Sequence, residues 1–148
     1  MQIHLEGSNT MKSSRETVFG LLTDPNFLAK TLPDAEDVHV LDGSSLEAKL
    51  KLRLAVVSSR LNVKLRLTDM QPPSKATLMA EGSGSGSTMK ITSVFNLEGE
   101  SPTTMRWSAD AEIGGVMAGL GSTVLRGFAA KKVGEIFEGI TRAVEAST

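Results

Sequence analysis

The chain has 148 residues, 16 basic and 17 acidic side chains, a net charge of -1, two His, no Cys and no Tyr. That length is one ordinary domain, residues 1–148, and 40% hydrophobic residues are enough to build a core. The absences exclude a disulfide framework, a thiolate nucleophile, an iron–sulfur cluster, a zinc ribbon and a phenolic acid or base; the balanced charge gives no electrostatic footprint for nucleic acid.

Met1 to Met11 reads as a strand, with Ile3 and Leu5 alternating against Gln2, His4 and Glu6. Ser13 and Glu16 have the spacing of a capping box, and Asp24-Pro25 supplies an N-cap followed by a proline at the first helical position. Two short helices are therefore expected, the second carrying Phe27, Leu28 and Leu32 and ending at Pro33.

From Ala35 the hydrophobic period changes to 2. Val38 and Val40 begin it, and Asp42-Gly43 is a turn signal. Leu46, Ala48, Leu50, Leu52, Leu54 and Val56 form the cleanest run, with a turn expected at Ser58-Ser59. Leu61 to Leu67, Ala76 to Ala80, Met89 to Leu97 and Met105 to Ile113 continue the alternation. The last element is a long helix over about Gly119–Ala146, with Leu120, Val124, Phe128, Ile136, Phe137, Ile140 and Val144 as an i, i+4 apolar stripe.

Seven strands with one oily face each have a single long helix to cover them. The economical solution is an α+β helix-grip arrangement: a curved seven-stranded antiparallel sheet around the helix, with two short helices after the first strand and a cavity on the concave side.

Two segments carry a resemblance. Asp24 to Pro33, with its Asp-Pro, Leu28-Ala29 and Leu32-Pro33, is one; Gly115 to Gly121, continuing through Phe128 to Lys132 and Phe137, is the other. Both resemble the carbon monoxide dehydrogenase CoxG family, which lies within the START-like, Bet v 1-like (SRPBCC) superfamily. The Gly-Ser repeat Gly82 to Ser87 also sits where that family has a Gly-rich strand pair. Asp34 stands where the family usually has Gly, and the C-terminal extension of some members does not follow the helix. The resemblance implies a helix-grip fold and an accessory role beside a molybdenum hydroxylase of the carbon monoxide dehydrogenase type. Maturation, membrane recruitment and carriage of a lipophilic molecule such as a quinone are the roles it suggests.

The residues themselves favour binding over catalysis. In the assigned register the oily strand faces hold no Asp, Glu, Lys, Arg or His, and Ser93 is their clear polar side chain. A hydrolase or cyclase, the alternative by superfamily analogy, needs a titratable group in the cavity. His4 and His39 fall on polar faces, Asp34, Glu36 and Asp37 read as solvated acids, and no cofactor or metal is expected. Gly82 to Gly86 leads into a strand rather than a helix, so it reads as a bend or a close backbone approach and not a phosphate loop. Lys49, Lys51, Arg53, Lys64 and Arg66 share an outer face, either paired with acids or forming a docking patch. Ile113 to Leu125 carries no charge and reads as a packed corner or as an apolar gate, with Met117 and Leu120 at one lip and Phe27 and Leu28 at the other.

The expected function is non-enzymatic binding or carriage of a lipophilic, quinone- or lipid-like molecule. Its expected contacts are Leu50, Leu52, Leu65, Ile91, Phe95, Trp107, Met117, Leu120, Val124 and Phe128. The alternative is an accessory or maturation factor docking on a molybdenum hydroxylase with no cavity ligand. No basic region followed by an apolar run opens the chain, and no window approaches the roughly 18 apolar residues that span a bilayer. A cytoplasmic protein with at most peripheral membrane contact is expected.

Overall fold

A computed structural model describes residues 1–32, 34–54 and 57–147, with the side chains of Leu54 and Val57 outside the description. The elements in chain order are β1 (Gln2–Met11), α1 (Arg15–Leu22), α2 (Pro25–Thr31), β2 (Ala35–Asp42), β3 (Ser45–Leu54), β4 (Val57–Gln71), β5 (Lys75–Gly84), β6 (Ser87–Glu98), β7 (Thr103–Gly115), a 3-10 turn (Met117–Leu120) and α3 (Ser122–Ala146). The seven strands form one sheet in the order β1-β7-β6-β5-β4-β3-β2, antiparallel throughout. Strands β2 to β7 are a meander, and β1 closes it by pairing with β7. At about 1.5 Å per residue α3 is long enough to cross the sheet.

The period-2 pattern sets which face turns inward. Cross-strand partners such as Leu46 with Leu65, Leu67 with Leu78 and Phe95 with Trp107 lie side by side on the inner face. Two buried clusters result. One joins α1, α2 and the C-terminal half of α3 to the sheet through Met11, Val18, Leu22, Leu67, Ile140 and Val144. The other lies under the N-terminal end of α3 and includes Ile3, Leu61, Ile113, Met117 and Leu125.

Several local expectations shift. The N-cap of α1 is Ser14, whose Oγ accepts from Thr17 N at 3.3 Å. Ser13 is buried one residue earlier, and its carbonyl accepts from Thr103 Oγ1. Leu54 pairs with Val57, so the chain has turned before Ser58-Ser59, which belong to β4; the expected inward Val56 lies outside the described residues. Edge strand β2 breaks register between Glu36 and His39 and again between Val40 and Asp42, which leaves Val38 half-buried and Val40 39% exposed.

The long helix begins at Ser122, preceded by the 3-10 turn, rather than at Gly119. The uncharged segment leading into it is a packed corner. Val116 N donates to Gly86 O, Met117 N donates to Ser87 Oγ, and Met117 is buried. Phe27 and Leu28 are buried in the first cluster, so neither forms a lip. The glycine at 115 is required: its φ is 76°, and a Cβ there would lie 2.1 Å from Gly86 O. Gly84 is comparable, with a Cβ position 2.1 Å from Arg60 O, which explains a glycine in this strand pair by close backbone approach. A Cβ on Gly119 meets nothing within 4 Å. Gly115→Ala should therefore cost about 2 kcal/mol or more in urea unfolding, and Gly119→Ala should change stability by less than about 1 kcal/mol. Equal, small effects at both positions would contradict the pinned corner.

Candidate ligand cavity beneath the long helix

Where α3 passes over β1 and β7, the facing side chains are small. Ala109 and Ala111 on β7 look toward Ala129 and Val133 on α3, and together they line an enclosed cavity of about 140 Å³. Short side chains between a helix and a sheet held apart by larger neighbours leave contacts unmade. The larger neighbours are here on both sides: Trp107 stacks on Phe137 with ring centroids 4.4 Å apart, and Ile3, Ile113 and Leu125 pack at the other end. The volume matches the engineered core cavity of about 150 Å³ that admits a benzene-sized molecule, and lies below the roughly 300–1,000 Å³ of a drug-sized pocket.

Five expected contacts line this cavity: Leu50, Leu52, Ile91, Met117 and Phe128. Leu65 and Phe95 are instead buried in the first cluster, and Trp107 packs against it. Leu120 packs against the second cluster from the 3-10 turn without reaching the cavity. Val124 is 41% exposed. An i, i+4 row turns roughly 40° about the axis per step, so the row running back from Val144 through Phe128 has left the buried face by Val124. The inward residue there is Leu125.

The inner strand faces are free of titratable side chains among the described residues, but they hold more polar groups than Ser93. Asn9 Oδ1 accepts from Trp107 Nε1 at 3.2 Å, and Ser59 is buried beside Leu52. Ser93 Oγ donates to Ser108 O.

The charged groups of the cavity come from elsewhere. Asp34, in the segment between α2 and β2, and Lys132, on α3, both line its mouth. This corrects the expectation of a solvated Asp34 and an outward Lys132. Lys132 Nζ donates to Asp34 Oδ2 at 2.5 Å and to Glu135 Oε2 at 3.3 Å, and lies 5.9 Å from the centroid of the Phe128 ring. Asp34 O in turn accepts from Lys51 N, so one residue bridges sheet and helix across the opening. The Asp34 carboxylate raises the Lys132 pKa from its ordinary 10.5; partial burial opposes the rise and Glu135 adds to it. Lys132 is thus held as an ammonium at neutral pH, which suits a hydrogen-bond donor and not a general base or amine nucleophile. Asp34 has a φ of 61°, a conformation that explains a Gly as the usual residue and that Asp tolerates better than most.

The opposite face of the sheet carries a wider, solvent-open groove of about 960 Å³. Its central row runs Glu112, Lys90, Glu81, Lys64, Glu47 and His39, each residue directly paired in register with the next. Lys49 pairs with Asp37 at 3.6 Å and Lys51 with Glu36 at 2.9 Å. Of the two readings of the basic residues, compensation by acids is the one this face supports. Asp34, Glu36 and Asp37 each face a different lysine, and no described group of three or more His, Asp or Glu is placed to hold a metal ion.

The two histidines cannot meet. His4 is on β1 and His39 on β2, the two opposite edges of the sheet. His4 Nδ1 lies 2.6 Å from Asp110 Oδ1 and Nε2 lies 3.3 Å from Glu6 Oε2.

The same arrangement recurs in solved structures. A conserved protein from Geobacillus kaustophilus is 24% identical over 98% of this chain and 97% of its own, with a TM-score of 0.87. A START superfamily protein from Mycobacterium smegmatis is 15% identical over 98% and 99%, TM-score 0.73. The ZhuI aromatase/cyclase from Streptomyces sp. R1128 is 12% identical over 98% and 94%, TM-score 0.70. The fold is START-like, and it houses both binding proteins and enzymes. Residues 7–145 match the family of CoxG, the G-type subunit of carbon monoxide dehydrogenase, and the chain belongs to that family. No curated protein matches the sequence. Family and fold together support a ligand-binding or accessory role. No described helix is long and apolar enough to cross a membrane.

The His4 contacts carry a pH signature. Hydrogen bonds to Asp110 and then Glu6 raise its pKa from 6.5. A raised pKa means stabilisation that is full below the unfolded value and lost as pH rises through the folded one. The melting temperature of wild type should exceed that of His4→Gln by more at about pH 5.5 than at about pH 8.5. A pH-independent difference would remove the ionic contribution of this contact.

Proposed function

We propose that this chain is a non-enzymatic binding or carrier protein for a small lipophilic molecule held between α3 and the sheet. The observation that supports it most is the lining: apart from Asp34 and Lys132 every residue around the enclosed cavity is apolar. Leu50, Leu52, Ile91, Met117 and Phe128 are the proposed contacts, with Ala109 and Ala111 providing the space. A single aromatic or quinone ring, or a short acyl segment, fits the cavity as it stands; a longer tail leaves through the mouth. Binding draws on apolar burial at roughly 25 cal/mol per Å² before ordering costs.

The family match supports a second reading, an accessory role beside an enzyme of the carbon monoxide dehydrogenase type, with or without a cavity ligand. The two readings are compatible, and co-purification with such an enzyme addresses the second.

Ala111→Leu separates them. The added side chain fills the void without creating a buried polar group, so stability should hold or rise by about 1 kcal/mol. Native mass spectrometry and lipid extraction of protein purified from its own host should find a small lipophile on wild type and at least about tenfold less on the variant. A wild-type chain that is empty and has no affinity for quinones or fatty acids would sink the carrier reading. An Ala111→Leu protein that still co-purifies with the enzyme would leave the accessory reading alone.

A further inference from the structure

The apolar cavity explains why an oily molecule would enter, but not which one. The Asp34–Lys132 pair at its mouth bears on that question. An ammonium carries three N–H donors. Among the described residues two are engaged, by Asp34 and Glu135, which leaves one for a ligand without breaking either contact. The three side chains together carry a net charge of −1. Lys132 is only partly exposed, and the Phe128 ring beneath it is part of the cavity wall. A ligand ring stacked in the cavity therefore places its polar end at this ammonium.

Resting on the binding reading above, we propose that Asp34, Lys132 and Glu135 form a head-group subsite that selects uncharged lipophiles bearing a hydrogen-bond acceptor, such as a ketone or quinone carbonyl, over carboxylates of the same shape. A carbonyl oxygen takes the free N–H and leaves both ion pairs intact. A carboxylate becomes the third acid around one ammonium, in a half-buried place where like charges are poorly screened. An amphiphile with no acceptor gains nothing at the mouth. Asp34 is decisive because it stands where the family usually has Gly, a residue without a side chain to offer Lys132. The selection is thus a property of this chain rather than of the fold.

Three probes of one shape test this: benzylacetone (ketone), hydrocinnamate (its carboxylate isostere) and butylbenzene (no acceptor). Each is titrated into isotope-labelled protein at neutral pH, with Kd read from amide shifts of residues around the cavity. Benzylacetone should bind about tenfold tighter than hydrocinnamate to wild type, in line with one close like-charge contact of partial screening. Asp34→Asn removes one acid and suits the positive φ, so the gap should shrink to within about threefold, chiefly by a gain for the carboxylate. Asp34→Gly should act in the same direction, so a folding defect peculiar to Asn would not obscure the result. Lys132→Met should bring benzylacetone down to the affinity of butylbenzene.

Hydrocinnamate binding as tightly as benzylacetone to wild type, or a gap unchanged in both Asp34 variants, would overturn the head-group assignment while the cavity reading stands. Failure of all three probes, butylbenzene included, to move any cavity resonance would overturn the cavity reading itself and the subsite with it.

Discussion

One helix has to cover the inner face of seven strands, and the rest of the structure follows from how it does so. The contact that anchors it is the stack of Phe137 on Trp107. Trp107 is held from three sides. Its indole N–H donates to Asn9 Oδ1, its β6 neighbour is Phe95, and its β1 partner is Gly7, where a Cβ would come within 2.6 Å of the indole ring. Any larger residue at position 7 would push the indole toward α3 and lift the helix. An aromatic stack of this kind contributes about 1 kcal/mol beyond its buried area, but its larger effect is geometric: it sets the height of the helix above the sheet.

Once that height is set, the cavity is a matter of side-chain size. The inner rows that meet α3 on either side of the stack differ sharply. Toward the C-terminal end of the helix, Met11, Val18, Leu22 and Met105 fill the space under Ile140 and Val144. Toward the middle, Ala109 and Ala111 cannot, and Ala129 and Val133 do not reach down to meet them. A protein core normally closes such gaps, because each void costs dispersion contacts. Here the helix cannot settle into the gap, since Trp107 and Phe137 prop it on one side while Met117 and Leu125 prop it on the other. The void is therefore a product of rigid neighbours and not of loose packing.

The alternation of the strands, their meander order and the covering helix were legible in the sequence, because period 2 and period 3.6 are local properties. Leu46 to Leu52 against Glu47 to Lys51 has one reading, and the register bears it out. Legibility failed where long-range geometry overrides local pattern. Ser58-Ser59 carries turn chemistry yet is strand, since the pairing of Leu54 with Val57 has already reversed the chain. Val124 belongs to the i, i+4 row but not to the buried face, because that row drifts around the helix. Most of the cavity's character was hidden for the same reason. Ala109 and Ala111 looked like ordinary inward residues until their partner on α3 was known, and Lys132 meets Asp34 from 98 positions away. The one available signal was Asp34 itself, an acid at a position where the resembling family has Gly.

Relative magnitudes decide what the Asp34–Lys132 pair can do. A partly exposed ion pair contributes about 0–1 kcal/mol. A ligand that buries about 200 Å² of apolar surface gains roughly 5 kcal/mol before ordering costs. The pair is too weak to hold the mouth shut against such a ligand, so it is not a lock. Its strength is nevertheless of the order needed to separate two ligands that share an oily body and differ only in the head, because the apolar term then cancels. A cavity that binds through indiscriminate burial gains whatever specificity it has from the few charges at its rim, and in this chain those charges converge on one ammonium.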